Sequence, residues 1–205
     1  MDFDIRFKAV SSKRVRLHYH LYTGSFTLTH PKWLSKMKIN EYVIAWEGWM
    51  LNCLREQPPP IFKEGCAVTL FGRERIVRFA HPEAKKRRVE LSEGSVLLYG
   101  NFSEGERDVK EQVETLLEHE LYVRARRWMR HFGDRMQLPD AGLFIRSMRS
   151  RWGSCFPGKK KIHLSRYLMY KDEKFLQEVV LHEMLHFLYP NHQKGFKEAL
   201  KRYKM

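Results

Sequence analysis
The sequence predicts an α+β protein, with a β-rich N-terminal part carrying one helix and a C-terminal part of helices around a small sheet. Three observations support this. Over about the first hundred residues apolar and polar side chains alternate, the period of half-buried strands. Beyond residue 106 the apolar positions recur every three or four residues, the period of helices. The stretch 181–196, LHEMLHFLYPNHQKGF, sets three histidines and a glutamate around the end of a helical segment.

The composition fits a folded domain. Hydrophobic side chains make up 43% of the 205 residues and aromatic ones 13%, which supplies a core and argues against wholesale disorder. The period changes across the polar stretch 101–108, and this divides the chain into a basic β-rich part, 1–104, and a second part, 105–205. Lys and Arg number 38 against 24 acidic residues, a formal charge of +14. Such a field draws anions, nucleic acid among them, although solubility alone is a competing reason for it. Cys53, Cys66 and Cys155 are odd in number and form no C-x-x-C pair, which points to reduced thiols in the cytoplasm. The first ten residues alternate in polarity, unlike a signal peptide, and no apolar run nears the roughly 20 residues of a membrane helix. No membrane partner is expected.

Residues 3–30 read as antiparallel strands punctuated at 11–13 and 23–25, with one face buried; His18 and His20 fall on the polar face. Residues 34–56 read as a helix that Pro58, Pro59 and Pro60 end. Trp33, Trp46 and Trp49 nearby are expected to pack on the sheet, with an aromatic binding patch as the alternative. Strands return at 67–71, 75–80, 86–91 and 96–99. Arg73, Arg75, Arg78, Lys85, Lys86, Arg87 and Arg88 crowd this region. Alternate strand residues share a face, so they would form a basic stripe that contacts nucleic-acid phosphates or guards a sheet edge.

A long helix is expected at 107–132. Val109, Val113, Leu116, Leu117, Leu121, Ala125, Trp128 and Phe132 form its stripe and Gly133 its cap. Residues 143–150 read as a strand, 151–155 as a turn, and 162–164 as the second strand of a hairpin. Asp172 is placed to cap the next helix and Glu173 to favour its first turn. Phe175, Leu176, Val179, Val180, Leu181, Met184, Leu185 and Leu188 bury much of that helix, and Pro190 stops it. A last helix, 193–203, turns Phe196, Leu200 and Tyr203 to one side.

The chemistry concentrates in His182-Glu183-x-x-His186. Residues four apart on a helix share a face, so two imidazoles can reach one metal ion while the adjacent carboxylate faces a water. His192, beyond Pro190, can fold back as a third ligand. Histidines and a glutamate on a mostly apolar helix would be costly unless something bound them.

The motifs R-S-R-W-G-S-C (149–155), I-H-L-S-R-Y-L (162–168), H-E-M-L-H (182–186), N-H (191–192) and Phe196 together resemble the YgjP-type zinc metallopeptidases, which look like relatives of the SprT/Spartan proteases. The resemblance covers mainly residues 143–205. It implies a minimal zincin fold, a small sheet packed on the H-E-x-x-H helix, with one zinc on His182, His186 and His192 and Glu183 as general base. Position 163 is His where that family more often has Asn, so a fourth nitrogen near the metal stays open. The metzincins need Gly where this chain has Tyr189, and the chain is not assigned to them.

The function expected is peptide-bond hydrolysis by a zinc-activated water, with a protein or peptide as substrate. Tyr189, His163, Tyr167 and Arg151 are candidate oxyanion or substrate contacts by type; Trp152 and Cys155 read as packing residues. The alternatives are a nucleic-acid-binding protein with a structural zinc, or a protease recruited to its substrates by DNA or RNA. A fourth protein ligand against an open coordination position discriminates them.

Overall fold
The computed structural model describes residues 3–56, 60–81, 83–102, 106–148 and 151–204. Pro58 and Pro59, Pro82, part of the 101–108 stretch, and Arg149 and Ser150 of the first motif lie outside the described residues. The chain divides into two compact units, Met1–Pro60 and Ile61–Met205. The expected 104/105 boundary falls inside the second.

In the first unit β1 (Ile5–Val10), β2 (Arg16–His20) and β3 (Ser25–Pro31) form a sheet in the order β1-β3-β2. β2 and β3 are antiparallel, as the turn at Gly24, with φ of 63°, allows. β1 instead runs parallel to β3, which corrects the all-antiparallel expectation. Alternation tells which side chains face the core but not which way a neighbour runs. The expected single helix is two, α1 (Lys36–Ala45) and α2 (Glu47–Glu56), separated at Trp46, whose φ of −101° and ψ of 4° leave the helical region. Ser35 caps α1 through a 3.3 Å bond from the Lys38 N–H. Trp49 packs edge-on to Phe26, and Trp46 lies against Tyr42. Trp33 is 73% exposed.

The second unit begins with β4 (Ala67–Leu70), β5 (Arg73–Ala80), β6 (Arg88–Leu91) and β7 (Ser95–Tyr99), ordered β4-β5-β7-β6 with β5 and β7 parallel. Helix α3 (Glu106–Met136) follows. Its buried positions Val109, Val113, Leu117, Leu121, Ala125 and Phe132 keep helical spacing. Gly133 does not cap it. The helix runs one turn further, and Gln137 takes the left-handed φ of 53°.

The third sheet holds β8 (Gly142–Arg146), β9 (Gly153–Phe156) and β10 (Lys161–Ser165) in the order β8-β10-β9. β8 pairs parallel to β10 and β9 antiparallel to it. The expected turn at 151–155 is thus largely an edge strand. Gly153 and Ser154 carry little β-propensity, and pairing with β10 holds them extended. Helices α4 (Glu173–Leu185) and α5 (Lys194–Tyr203) complete the fold, with α4 packed on α3, β9 and α5. Among the described residues no helix is long and apolar enough to cross a membrane.

The seat of α4 is fixed at its N-terminus. Asp172 accepts a 2.7 Å bond from the Phe175 N–H, the cap expected. The Glu173 carboxylate accepts from Trp128 Nε1 at 2.6 Å and Arg124 Nη1 at 2.9 Å on α3. Gly72, at φ of +75°, lies so near that an added Cβ would stand 2.8 Å from Asp172 Cβ.

A second tie joins α3 to residues 166–170. Glu114 is 4% exposed and accepts a 2.6 Å bond from the Tyr170 hydroxyl, with Lys110 and Arg166 close by. Burial raises the Glu114 pKa, and Tyr170, Lys110 and Arg166 offset this only in part. A carboxyl raised in this way binds its proton more tightly folded than unfolded. Its contribution to stability is therefore full below the unfolded pKa and lost as pH rises through the folded one. Urea unfolding of the wild type and Glu114→Gln should show the wild type losing stability relative to the variant as pH rises above 4.5.

Candidate metal centre
Helix α4 ends beside its two histidines. The bonds Phe187 N–H to Met184 O and Leu188 N–H to Leu185 O tighten the last turn, so regular helix stops at Leu185, before Pro190 is reached. His182 and His186 keep the one-turn spacing expected. The chain then reverses through 187–193, and α5 places Phe196 under the returning His192.

The three imidazoles converge. His182 Nε2 lies 3.2 Å from His186 Nε2 and 2.9 Å from His192 Nε2, and the three ligand atoms all fall within 4.8 Å of one another. A tetrahedral zinc bound to nitrogens at about 2.0–2.1 Å would set them roughly 3.3 Å apart. The donor set therefore fits a metal ion. The Phe196 ring, 2% exposed, floors the site 4.9, 5.0 and 4.7 Å from the ring centres of His182, His186 and His192. His186 Nδ1 lies 3.0 Å from the Tyr189 carbonyl. That bond fixes the proton on Nδ1 and leaves the Nε2 lone pair for the metal. Burial, and then the two neighbouring imidazoles, push the His182 pKa down to about 4, which keeps its ring neutral.

Glu183 is 7% exposed. Burial raises its pKa to about 7, against the lowering pull of Arg151 and of a hydrogen bond from the Cys155 backbone N–H. Room for it comes from Gly153, whose role no local periodicity in the sequence marks. A Cβ on Gly153 would stand 2.6 Å from both Glu183 Cγ and Glu183 Oε1. Gly153 thus admits the carboxylate against the backbone of β9, and the glycine of R-W-G-S-C was the available signal. The Cys155 thiol is pushed up to about 12 by burial and by Glu183, so it stays protonated and unreactive.

The other candidates scatter. Arg151 lines a cavity of about 460 Å³ together with His182 and Glu183. Tyr167 is buried, with its hydroxyl 3.1 Å from Ser147 Oγ. Tyr189 gives its carbonyl to His186, and its ring borders Gly195. His163 sits between Phe144 and Phe156, on the face of β10 opposite the buried Ile162 and Leu164, and is not part of the ligand group.

The basic residues form no single stripe. Arg75 is 5% exposed and bonded to backbone carbonyls, and Arg78 pairs with Glu64. Arg87 is held by the Asn101 carbonyl and Gln112, while Arg88 pairs with Glu90 and lies over the Tyr99 ring. Lys85 and Lys86 fall between β5 and β6 rather than on a strand. Strand alternation and cross-strand pairing distribute these charges over both faces of the sheet.

A family model described as "YgjP-like, metallopeptidase domain" matches residues 13–204. No curated protein matches the chain. Among solved structures, the metallopeptidase zymogen of Methanocaldococcus jannaschii jannalysin is similar over 38% of this chain and 80% of its own, with 23% identity and a TM-score of 0.36.

The close approach of Gly153 to Glu183 gives a direct test. Gly153→Ala should retain the bound metal, measured by elemental analysis, while peptide cleavage falls at least about 100-fold, the scale of a misplaced acid–base group.

Proposed function
The chain belongs to the YgjP-like metallopeptidase family, and from that premise we propose that it is a zinc-dependent endopeptidase in which His182, His186 and His192 hold the metal and Glu183 is the general base. The observation that carries this is the convergence of three imidazole nitrogens beside a buried carboxylate. Among the described residues the ligand group contains three side chains, as in catalytic zinc sites, where structural ones usually have four. That supports hydrolysis over a purely structural metal.

Zinc in this position supplies Lewis-acid polarisation of a carbonyl and lowers the pKa of water. The remaining work belongs to the chain. Glu183 accepts a proton from the attacking water on its carboxylate and returns it to the leaving amine. Burial of the carboxylate raises its affinity for that proton. Gly153 and the Cys155 N–H hold that carboxylate in place. Of the oxyanion candidates, Arg151 shares the cavity of Glu183 and is assigned to the charge that develops on the carbonyl oxygen. His163 and Tyr167 are committed elsewhere. The rest of that cavity includes Trp152, Phe175, Val179 and Leu200, a largely apolar recess suited to a bulky apolar side chain of the substrate next to the scissile bond.

Three measurements test this. Purified protein should carry about one zinc per chain. Glu183→Gln should keep that zinc yet cleave an unfolded protein about 10²–10⁴-fold more slowly; full cleavage by the variant would remove Glu183 from the mechanism. Val179→Trp, which fills the recess, should shift the cleavage sites read by mass spectrometry from large apolar residues toward glycine and alanine. An unchanged site profile would exclude the recess as a subsite.

A further inference from the structure
A second cavity, of about 370 Å³, lies between β5, β6 and α3 and shares no lining residue with the recess beside Glu183. We propose that it is a binding site for a phosphoryl oxyanion, held by Arg75 with Arg73 and Arg124.

The reason starts in strand alternation. Arg73, Arg75 and Val77 point to one face of β5, and Val77 is fully buried there. A strand position facing a core normally carries an apolar residue. Here it carries Arg75, 5% exposed. Its Nε donates to the Ser92 carbonyl at 2.7 Å, and its Nη1 to the carbonyls of Leu70 at 2.5 Å and Arg73 at 3.2 Å. Nη2 has no hydrogen-bond partner among the described residues, and Arg75 lines the cavity. The three acceptors are neutral, so the charge itself is not balanced. No carboxylate among the described residues lies within ion-pair distance of Arg75.

The surroundings add positive charge. Arg73 and Arg124 line the same space, and after burial their repulsion is the next cause lowering the Arg75 pKa. Of the two carboxylates that line the cavity, Glu93 and Glu120, Glu120 offsets this repulsion in part. Glu120 is engaged by Arg124, which also reaches Glu173. Glu93, at the exposed edge of the cavity, stands 3.9 Å from Arg73 with its side chain 98% exposed, so water screens that pair. A buried cation without a counter-charge is costly, and the cost falls when an anion pairs with it. Guanidinium groups bind tetrahedral oxyanions through parallel N–H···O bonds. The oxygens of a tetrahedral phosphoryl group point in different directions, so more than one guanidinium can engage it at once, unlike a planar carboxylate. Val89, Leu91 and Leu116 supply the smaller, apolar part of a wall that is otherwise polar.

The phosphoryl group has two possible sources, a free phosphate or the phosphodiester of a nucleic acid, and one experiment separates them. The full chain is titrated calorimetrically in 0.15 M chloride with inorganic phosphate and, separately, with a ten-nucleotide single-stranded DNA lacking terminal phosphates. Two variants at partly exposed positions accompany it: Arg73→Gln, which removes one guanidinium, and Leu116→Trp, which fills the cavity from α3. Unchanged thermal midpoints verify that both are folded. Saturable phosphate binding by the wild type, weakened at least tenfold in both variants, supports the site with a free phosphate as ligand. Oligonucleotide binding weakened tenfold in both variants, without phosphate binding, supports it with a phosphodiester. Absence of saturable binding of either ligand, or equal affinities in wild type and variants, overturns the proposal.

Discussion

Bringing three imidazole nitrogens to one point constrains the chain from Asp172 to Tyr203. Two rings are given by one helical turn, but the third requires α4 to stop at Leu185, the backbone to reverse, and α5 to bring Phe196 beneath all three. Neutral imidazoles with lone pairs facing one another repel. The arrangement becomes favourable when a cation occupies the centre and folding and metal binding are coupled. His182 serves that coupling, since burial keeps its ring uncharged.

The rest of the second unit holds α4 still. Asp172 caps it, and Glu173 is gripped by Trp128 and Arg124 of α3. These bonds lie three turns from Glu183, yet a rigid helix transmits their placement to the carboxylate. β9 supplies the opposing surface, where the absent side chain of Gly153 lets Glu183 sit against backbone. A carboxylate in so dry a place is less acidic than in water. The packing that orients Glu183 is therefore also what makes it basic enough to take a proton.

Arg124 belongs to two neighbourhoods. It grips Glu173 at the start of α4 and also lines the arginine-rich cavity between β5, β6 and α3. An anion in that cavity would compete with Glu173 for the same guanidinium. Whatever binds there shares a side chain with the support of the metal helix, and coupling between two sites needs such a shared element.

The sequence alone determined the three histidines that converge, His182, His186 and His192, the adjacent Glu183, the Asp172 cap, the stripe of α3 and the α+β class. All of these rest on local spacing: 3.6 residues per turn, two per strand repeat, and a cap one residue before its helix. Tertiary structure decided the rest. β1 lies parallel to β3, and β9 is a strand because β10 pairs with it. His163 is turned from the three-histidine cluster by the pleat of β10, and Arg75 is buried among the backbone carbonyls of Leu70, Arg73 and Ser92. Gly153 matters through a side chain thirty positions away. Strand direction, the occupied face of a sheet and the closest approach of distant backbones arise from non-local contacts, and no local period in the chain encodes them.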